Sequence, residues 1–407
     1  SLPTASLGDE LLLFIKQIDG LSSSLVLALK VMAAVREKVA ESMTDFFEQY
    51  GTLVEETDDR KCFAFENQHA SKSENLKKQF AHAEQAHLIL PRGFIVSLIT
   101  QFDAYLARLI RALYFAKPEF LDASGSALSF STLLELKSID AARELLLERE
   151  IEAILRKSPA EKFAWLETKF GVPLRKEFLT WHTLIEVTER SRHFVHKNGI
   201  ISDQYLDACR QIGIPIDGAV SVGDTLPVSP EYFDSAYRSF YEISVKLAHI
   251  LWRKFKPEDQ EAADKNLIAV TQELISMEKY NLAIPLLDFA ALTLKNYFNE
   301  DVRRTFIINR AQAYKWHKQE NLCALILAKD DWVGQDDKFQ LAVAVLSDNF
   351  ALAARIMEKI GRSDAQDACY KESPLFREFR KSAEFQRTYE RIFQKRFVKI
   401  EQVLKEA

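Results

Sequence analysis

Glycine and proline together supply only 23 of the 407 residues, roughly half of the ~12% that the pair contributes to an average protein. Turns that need a positive or a fixed φ are therefore few. Sandwiches and barrels need a turn roughly every 8–12 residues, so all-β folds are excluded, and so are collagen-like and elastic chains. With 47% hydrophobic and 28% charged residues, the chain is neither disordered nor membrane-embedded throughout. The expectation is an all-α protein, and 28 Phe against 12 Tyr and 5 Trp point to aromatic packing between its helices.

At about 150 residues per domain, the length predicts two or three domains. The net charge of −5 excludes a protein that coats nucleic acid through bulk charge, though not a local basic site. Lys371–Ala407 carries ten Lys/Arg against six Asp/Glu. That asymmetry fits a solvated helix face or a contact for an acidic partner. Cys62, Cys209, Cys323 and Cys369 are too far apart for a metal or redox motif. They predict free thiols in a reducing cytoplasm. The apolar patch Leu11–Ile15 lacks the basic flank and small-residue cleavage site of a signal peptide. No continuous run of eighteen apolar residues is present, so no membrane contact is expected.

Helical spacing organises the chain into three segments. Residues 1–88 read as a helical leader. Leu25, Leu27, Met32 and Val35 lie on a helical run reaching Phe46 and Phe47. An acidic patch follows at Glu55, Glu56, Asp58 and Asp59, then a polar stretch, 67–78, expected as a long surface helix. Residues 89–256 read as a helical bundle. Pro91 is expected to open a helix with the stripe Phe94, Leu98, Phe102, Tyr105, Leu109 and Leu113, closed by Lys117-Pro118. Further helices are expected over 141–157, 160–170 and 178–195. Pro159 sits in the first turn of one, and Gly199 ends another. Three Gly and three Pro crowd Ile212–Pro230, which reads as a long loop containing a short hairpin. A helix over 231–255 leads to a boundary at Pro257.

From 257 to 407 the texture repeats. Tyr280-Asn-Leu-Ala-Ile, Glu320-Asn-Leu-Cys-Ala and Asp348-Asn-Phe-Ala-Leu recur, with asparagines 40 and then 28 residues apart. Each is expected to begin the second helix of a pair, preceded by small residues such as those in Ala311-Gln-Ala-Tyr314. This resembles tetratricopeptide repeats, whose unit is about 34 residues. The resemblance implies a stacked helical array that binds a protein partner.

The sequence lacks a phosphate-cradling G-x-x-x-x-G-K-[ST] loop, a G-x-G-x-x-G turn, an H-E-x-x-H pair and a G-x-S-x-G elbow. No cofactor and no metal are expected. One segment carries chemistry: Glu189-Arg-Ser-Arg-His-Phe-Val-His-Lys-Asn-Gly199. Arginine and histidine suffice to cleave RNA without a metal. The substrate's 2′-hydroxyl is the nucleophile. A histidine near neutral pKa moves the proton, and an arginine fork holds the phosphate as charge develops. The bland alternative pairs Arg190 and Arg192 with Glu186 or Glu189 and leaves His196 to cap the helix end.

The run Trp181…Arg190-Ser-Arg-His-Phe-Val-His196-Lys-Asn-Gly199…Tyr205 resembles the end of a HEPN domain, whose signature is an Arg, four to six residues, then a His. The helix after Pro91, with Asp103 in its apolar stripe and Pro118-Glu119 behind it, resembles that family's long first helix. The common Arg position is occupied by Ser191, which leaves Arg190 and Arg192 flanking it. The spacing favours Arg190. The resemblance implies a dimeric, metal-independent endoribonuclease of toxin or antiphage-defence type. Arg190 and His196 would be catalytic. Arg192, His193, Asn198 and Asp103 would support the substrate or the histidine. Other members of the family are silent interaction modules.

Overall fold

A computed structural model of the chain describes residues 6–57, 60–122, 128–136, 138–211, 213–214 and 221–398. Among them are seventeen α-helices and a single two-stranded sheet, so the protein is all-α. The chain divides into two compact units, Ser1–Ala248 and His249–Ala407. The division falls inside a helix, a little before the boundary expected at Pro257.

The first unit is organised by two very long helices, α1 (Leu7–Tyr50) and α2 (Asn67–Ala116), which pair lengthwise as a hairpin. Ser6 starts α1 with a capping box, its Oγ accepting from the Asp9 amide while the Asp9 carboxylate accepts from the Ser6 amide. The base of the hairpin is core. Leu7, Leu11, Phe14 and Ile18 are buried, and Phe14 stacks on Tyr105 of α2 at 4.7 Å between ring centres. The expected N-terminal leader is therefore part of this unit. Its helix is interrupted by an antiparallel hairpin, β1 (Gly51–Thr57) with β2 (Arg60–Phe65). The acidic patch Glu55–Glu56 lies on a strand, and Asp58 and Asp59 lie outside the described residues. Phe46, Phe47, Phe63 and Phe65 form the aromatic cluster that fixes this tip.

Pro91 does not open a helix. It lies inside α2. Proline cannot donate to the carbonyl four residues back and normally kinks or stops a helix. Here the cost is offset by Ile95, Leu98, Phe102, Leu106 and Leu109, all buried just beyond it. α1 and α2 each hold an 18-residue stretch, of mean hydropathy 1.6 and 1.3, that is long and apolar enough to cross a membrane by length and composition. The α2 stretch is 39% buried inside the protein, the α1 stretch 11%.

The remaining helices of this unit are α3 (Glu119–Asp122), α4 (Phe130–Glu135), α5 (Ile139–Leu155), α6 (Pro159–Phe170), α7 (Trp181–Lys197), α8 (Asp203–Gln211) and the start of α9 (Pro230–Phe255). Pro159 stands in the first turn of α6, behind a Ser158–Glu161 capping box. Phe102, Phe163 and Phe240, from α2, α6 and α9, share one aromatic core. Of the expected loop 212–230, the described end pairs back onto the stretch after α7: Leu226 donates to the Gly199 carbonyl at 2.8 Å and Ile201 to that of Asp224 at 2.8 Å.

The second unit continues with α10 (Gln260–Ser276), α11 (Tyr280–Asp288), α12 (Glu300–Trp316), α13 (Glu320–Leu327), α14 (Asp337–Leu346), α15 (Phe350–Ile360), α16 (Asp364–Glu372) and α17 (Ala383–Phe393). The three recurring segments do open second helices. Each pair turns through one residue in the left-handed region, namely Glu278 (φ 57°), Lys318 (φ 63°) and Asp348 (φ 57°). The next amide closes on the carbonyl five residues back each time: Lys279 on Leu274, Gln319 on Tyr314 and Asn349 on Ala344.

Candidate functional site at the end of α7

α7 ends where the sequence places the chemistry. Asn198 takes the left-handed conformation (φ 51°), and the Gly199 amide donates back to the His193 carbonyl at 2.9 Å. This is a left-handed closure in which asparagine, ahead of the expected Gly199, occupies the first left-handed position. Asn198 is thus a backbone cap. Its carbonyl accepts from Nη1 of Arg92, a buried residue of α2, at 2.9 Å. The Arg92 guanidinium also lies over the Phe194 ring, and burial lowers its pKa from the usual arginine value. Gly199 (φ 75°) packs so close that an added Cβ would meet Arg92 Cζ at 3.0 Å.

The motif residues then divide between two faces of α7. Glu186, Arg190 and His193, spaced four and three, face inward. Arg190 Nε donates to Glu186 Oε1 at 2.7 Å and Nη1 to the Pro227 carbonyl at 3.0 Å. Nη2 reaches the Tyr205 hydroxyl at 3.2 Å, and the guanidinium lies 4.0 Å from the centre of the Tyr232 ring. Tyr205 and Tyr232 in turn donate to the two Glu186 oxygens at 2.5 and 2.7 Å. Burial alone would lower the Arg190 pKa. Tyr232, Glu186 and Tyr205 override it and hold the guanidinium above the usual range. Burial, reinforced by the Glu186 charge, keeps both phenols protonated. The group is a closed, fully satisfied network.

His193 is also inward and buried. Nδ1 lies 3.1 Å from the Glu189 carbonyl, which can only accept, so the proton sits there. Nε2, at 2.8 Å, accepts from Ser202 Oγ. Both ring nitrogens are thus committed to packing.

Arg192 and His196 face outward, one turn apart. Arg192 keeps 46% of its side chain exposed and donates to Glu189 Oε2 at 3.1 Å. His196 is exposed and has no hydrogen-bond partner among the described residues. It does not cap the helix; Arg92 holds that carbonyl. Asp103 pairs with Lys162 of α6 at 2.5 Å. It lies eleven residues along α2 from Arg92, about 16 Å at 1.5 Å per residue, and so is not brought to His196.

Two residues in this region had no place in the sequence reading. Arg92 is a lone charge in an otherwise apolar stretch from Leu88 to Ile99, and that isolation was the available signal. Tyr232 carried none, because its partners lie over forty residues away. No protein-family model, curated protein or solved structure matches this chain.

Proposed function

We propose that the chain is a metal-independent endoribonuclease of the HEPN type, acting in the cytoplasm as a toxin or defence effector. The observation that carries this reading is the outward pair on α7: an exposed Arg192 and, one turn on, an exposed His196 with no hydrogen-bond partner among the described residues, beside Lys197 at a helix C-terminus that favours cations. In this reaction a neutral His196 accepts the proton of the RNA 2′-hydroxyl. The freed oxygen attacks the adjacent phosphorus, and the P–O5′ bond breaks. The departing oxygen takes a proton, leaving a 2′,3′-cyclic phosphate and a 5′-hydroxyl. Arg192 holds the non-bridging oxygens as negative charge builds on them. Arg190, which the spacing favours, has its donors on Glu186, Tyr205 and Pro227. Its part is to fix α7 against α8 and α9. The four unpaired thiols support the cytoplasmic assignment. The resemblance further implies pairing of two chains through the 89–256 bundle.

In the second unit, a cavity of about 690 Å³ is lined by Gln272, Asn309, Gln312 and Phe339 among others, from the first helices of successive pairs. It is the place for a protein partner on the tetratricopeptide-like region.

Purified protein incubated with labelled tRNA or total RNA in EDTA should cleave, and His196→Ala should not. Identical behaviour of the two proteins removes the catalytic reading. One observation favours a silent interaction scaffold instead: the Arg190 network leaves the motif with a single exposed arginine, Arg192, itself paired with Glu189. Cell toxicity on expression, lost in His196→Ala, separates the enzyme from the scaffold.

A further inference from the structure

The outer part of the α1–α2 hairpin is under-covered for two packed helices. Leu25, Met32, Val39 and Phe46, spaced seven apart, form the heptad seam of an antiparallel coiled coil, and of these only Leu25 and Phe46 are buried. A second apolar stripe runs along the flank of α1 beside that seam. Leu27, Val31 and Val35, spaced four apart, are 51–64% exposed. The Arg36–Glu84 ion pair and Lys72 over the Phe46 ring set the register of the hairpin and bring Ile89 level with Val31. Ile89 and Leu88, 55% and 39% exposed, extend the patch onto α2. Five large apolar side chains so uncovered amount to several hundred Å², in the range where exposed apolar patches mark interaction sites.

We infer that this flank is an interface with a second copy of the chain, the two hairpins meeting antiparallel about a twofold axis through Val31. Three observations select that occupant. First, the stripe reads the same in both directions. Ser24, Leu27, Val31, Val35 and Lys38 are spaced 3, 4, 4, 3, polar at both ends and apolar between. An isologous contact needs a face that maps onto itself. Second, the charges agree. Antiparallel pairing sets Lys38, at one end of the stripe, opposite Ser24 at the other, whereas parallel pairing would oppose Lys38 to Lys38. Third, the area closes. One copy offers several hundred Å², and two copies of the same patch approach the ~1,200 Å² at which specific interfaces begin. A bilayer fits less well. At this level α2 is packed against the end of α7 through Arg92 and Asn198, which would carry Arg192, His196 and Lys197 into the lipid.

This interface lies outside the 89–256 bundle for most of its length and does not depend on RNA cleavage. Sedimentation of the full-length protein tests it without any RNA. The expected species has at least twice the 46.7 kDa of one chain, and more where the 89–256 bundle also pairs. Val31→Glu with Val35→Glu should weaken the dimer at least a hundredfold with unchanged helicity, whereas Leu179→Glu, at a site 84% exposed elsewhere, should not. Val31→Cys should cross-link to itself under mild oxidation, because the axis passes through it, while Leu12→Cys should not. A monomeric wild type, or a wild type whose sedimentation the double substitution leaves unchanged, overturns the inference. So does flotation of the wild-type protein, but not the double variant, with phosphatidylcholine–phosphatidylserine vesicles.

Discussion

The two faces of α7 carry the same residue types and put them to opposite uses. Inward, every side-chain nitrogen of Arg190 and His193 has a partner, among Glu186, Tyr205, Pro227, Glu189 and Ser202. Outward, Arg192 has one carboxylate and His196 none. A motif written as letters merges these faces. A rotation of about 200° separates Arg190 from Arg192, and that rotation decides which one holds the fold and which can meet a ligand.

The contrast breaks or sharpens on four measurements. The largest effect is expected from Arg190→Ala. It leaves Glu186 buried without its cation and should cost about 3–5 kcal/mol in urea unfolding. If Arg192→Ala costs as much, the two faces are not distinct. Next is His249, the fully buried first residue of the second unit. Burial, with the nearby Arg253 charge, pushes its pKa down from 6.5 to about 3. Between those values the unfolded chain binds a proton that the folded chain refuses. Stability is therefore full above pH 6.5 and falls as the pH drops toward 3, by roughly 2 kcal/mol at pH 5. Thermal melts at pH 5 and 7 should show the loss, and His249→Leu should flatten it. Third, Gly199→Ala puts a side chain at φ 75° and against Arg92. About 1–2 kcal/mol should be lost, seen as a lower urea midpoint. The smallest stability effect belongs to His196→Ala, within about 0.5 kcal/mol, with RNA cleavage abolished. That combination, stability kept and activity lost, is the sharpest statement of the contrast.

The helical class was legible because glycine and proline are so scarce. The three repeat turns were legible because each recurs with the same small polar signature. Pro91 misled because its local rule is strong, and only packing along α2 reveals that the helix runs through it. The strands Gly51–Thr57 and Arg60–Phe65 were missed because the first is polar and acidic, with Thr52, Glu55, Glu56 and Thr57, and so read only as a charged patch. At the site, the i, i+4 pairing of Glu186 with Arg190 was readable and was set out as the bland alternative. The tyrosines that complete it come from α8 and α9. No local pattern brings such distant residues to one point. Asp103 shows the converse: a plausible partner on a facing helix, placed too far along its axis to serve.

The three left-handed turns of the second unit have a consequence for engineering. Glutamate, lysine and aspartate occupy positions where a side chain costs about 1–2 kcal/mol that glycine does not incur. Each turn joins the two helices of one pair in the same way. Lys318 is therefore the clearest handle on thermostability, since Asp348 accepts from the buried Lys315 at 2.6 Å and Glu278 pairs with Arg377, contacts that glycine would remove.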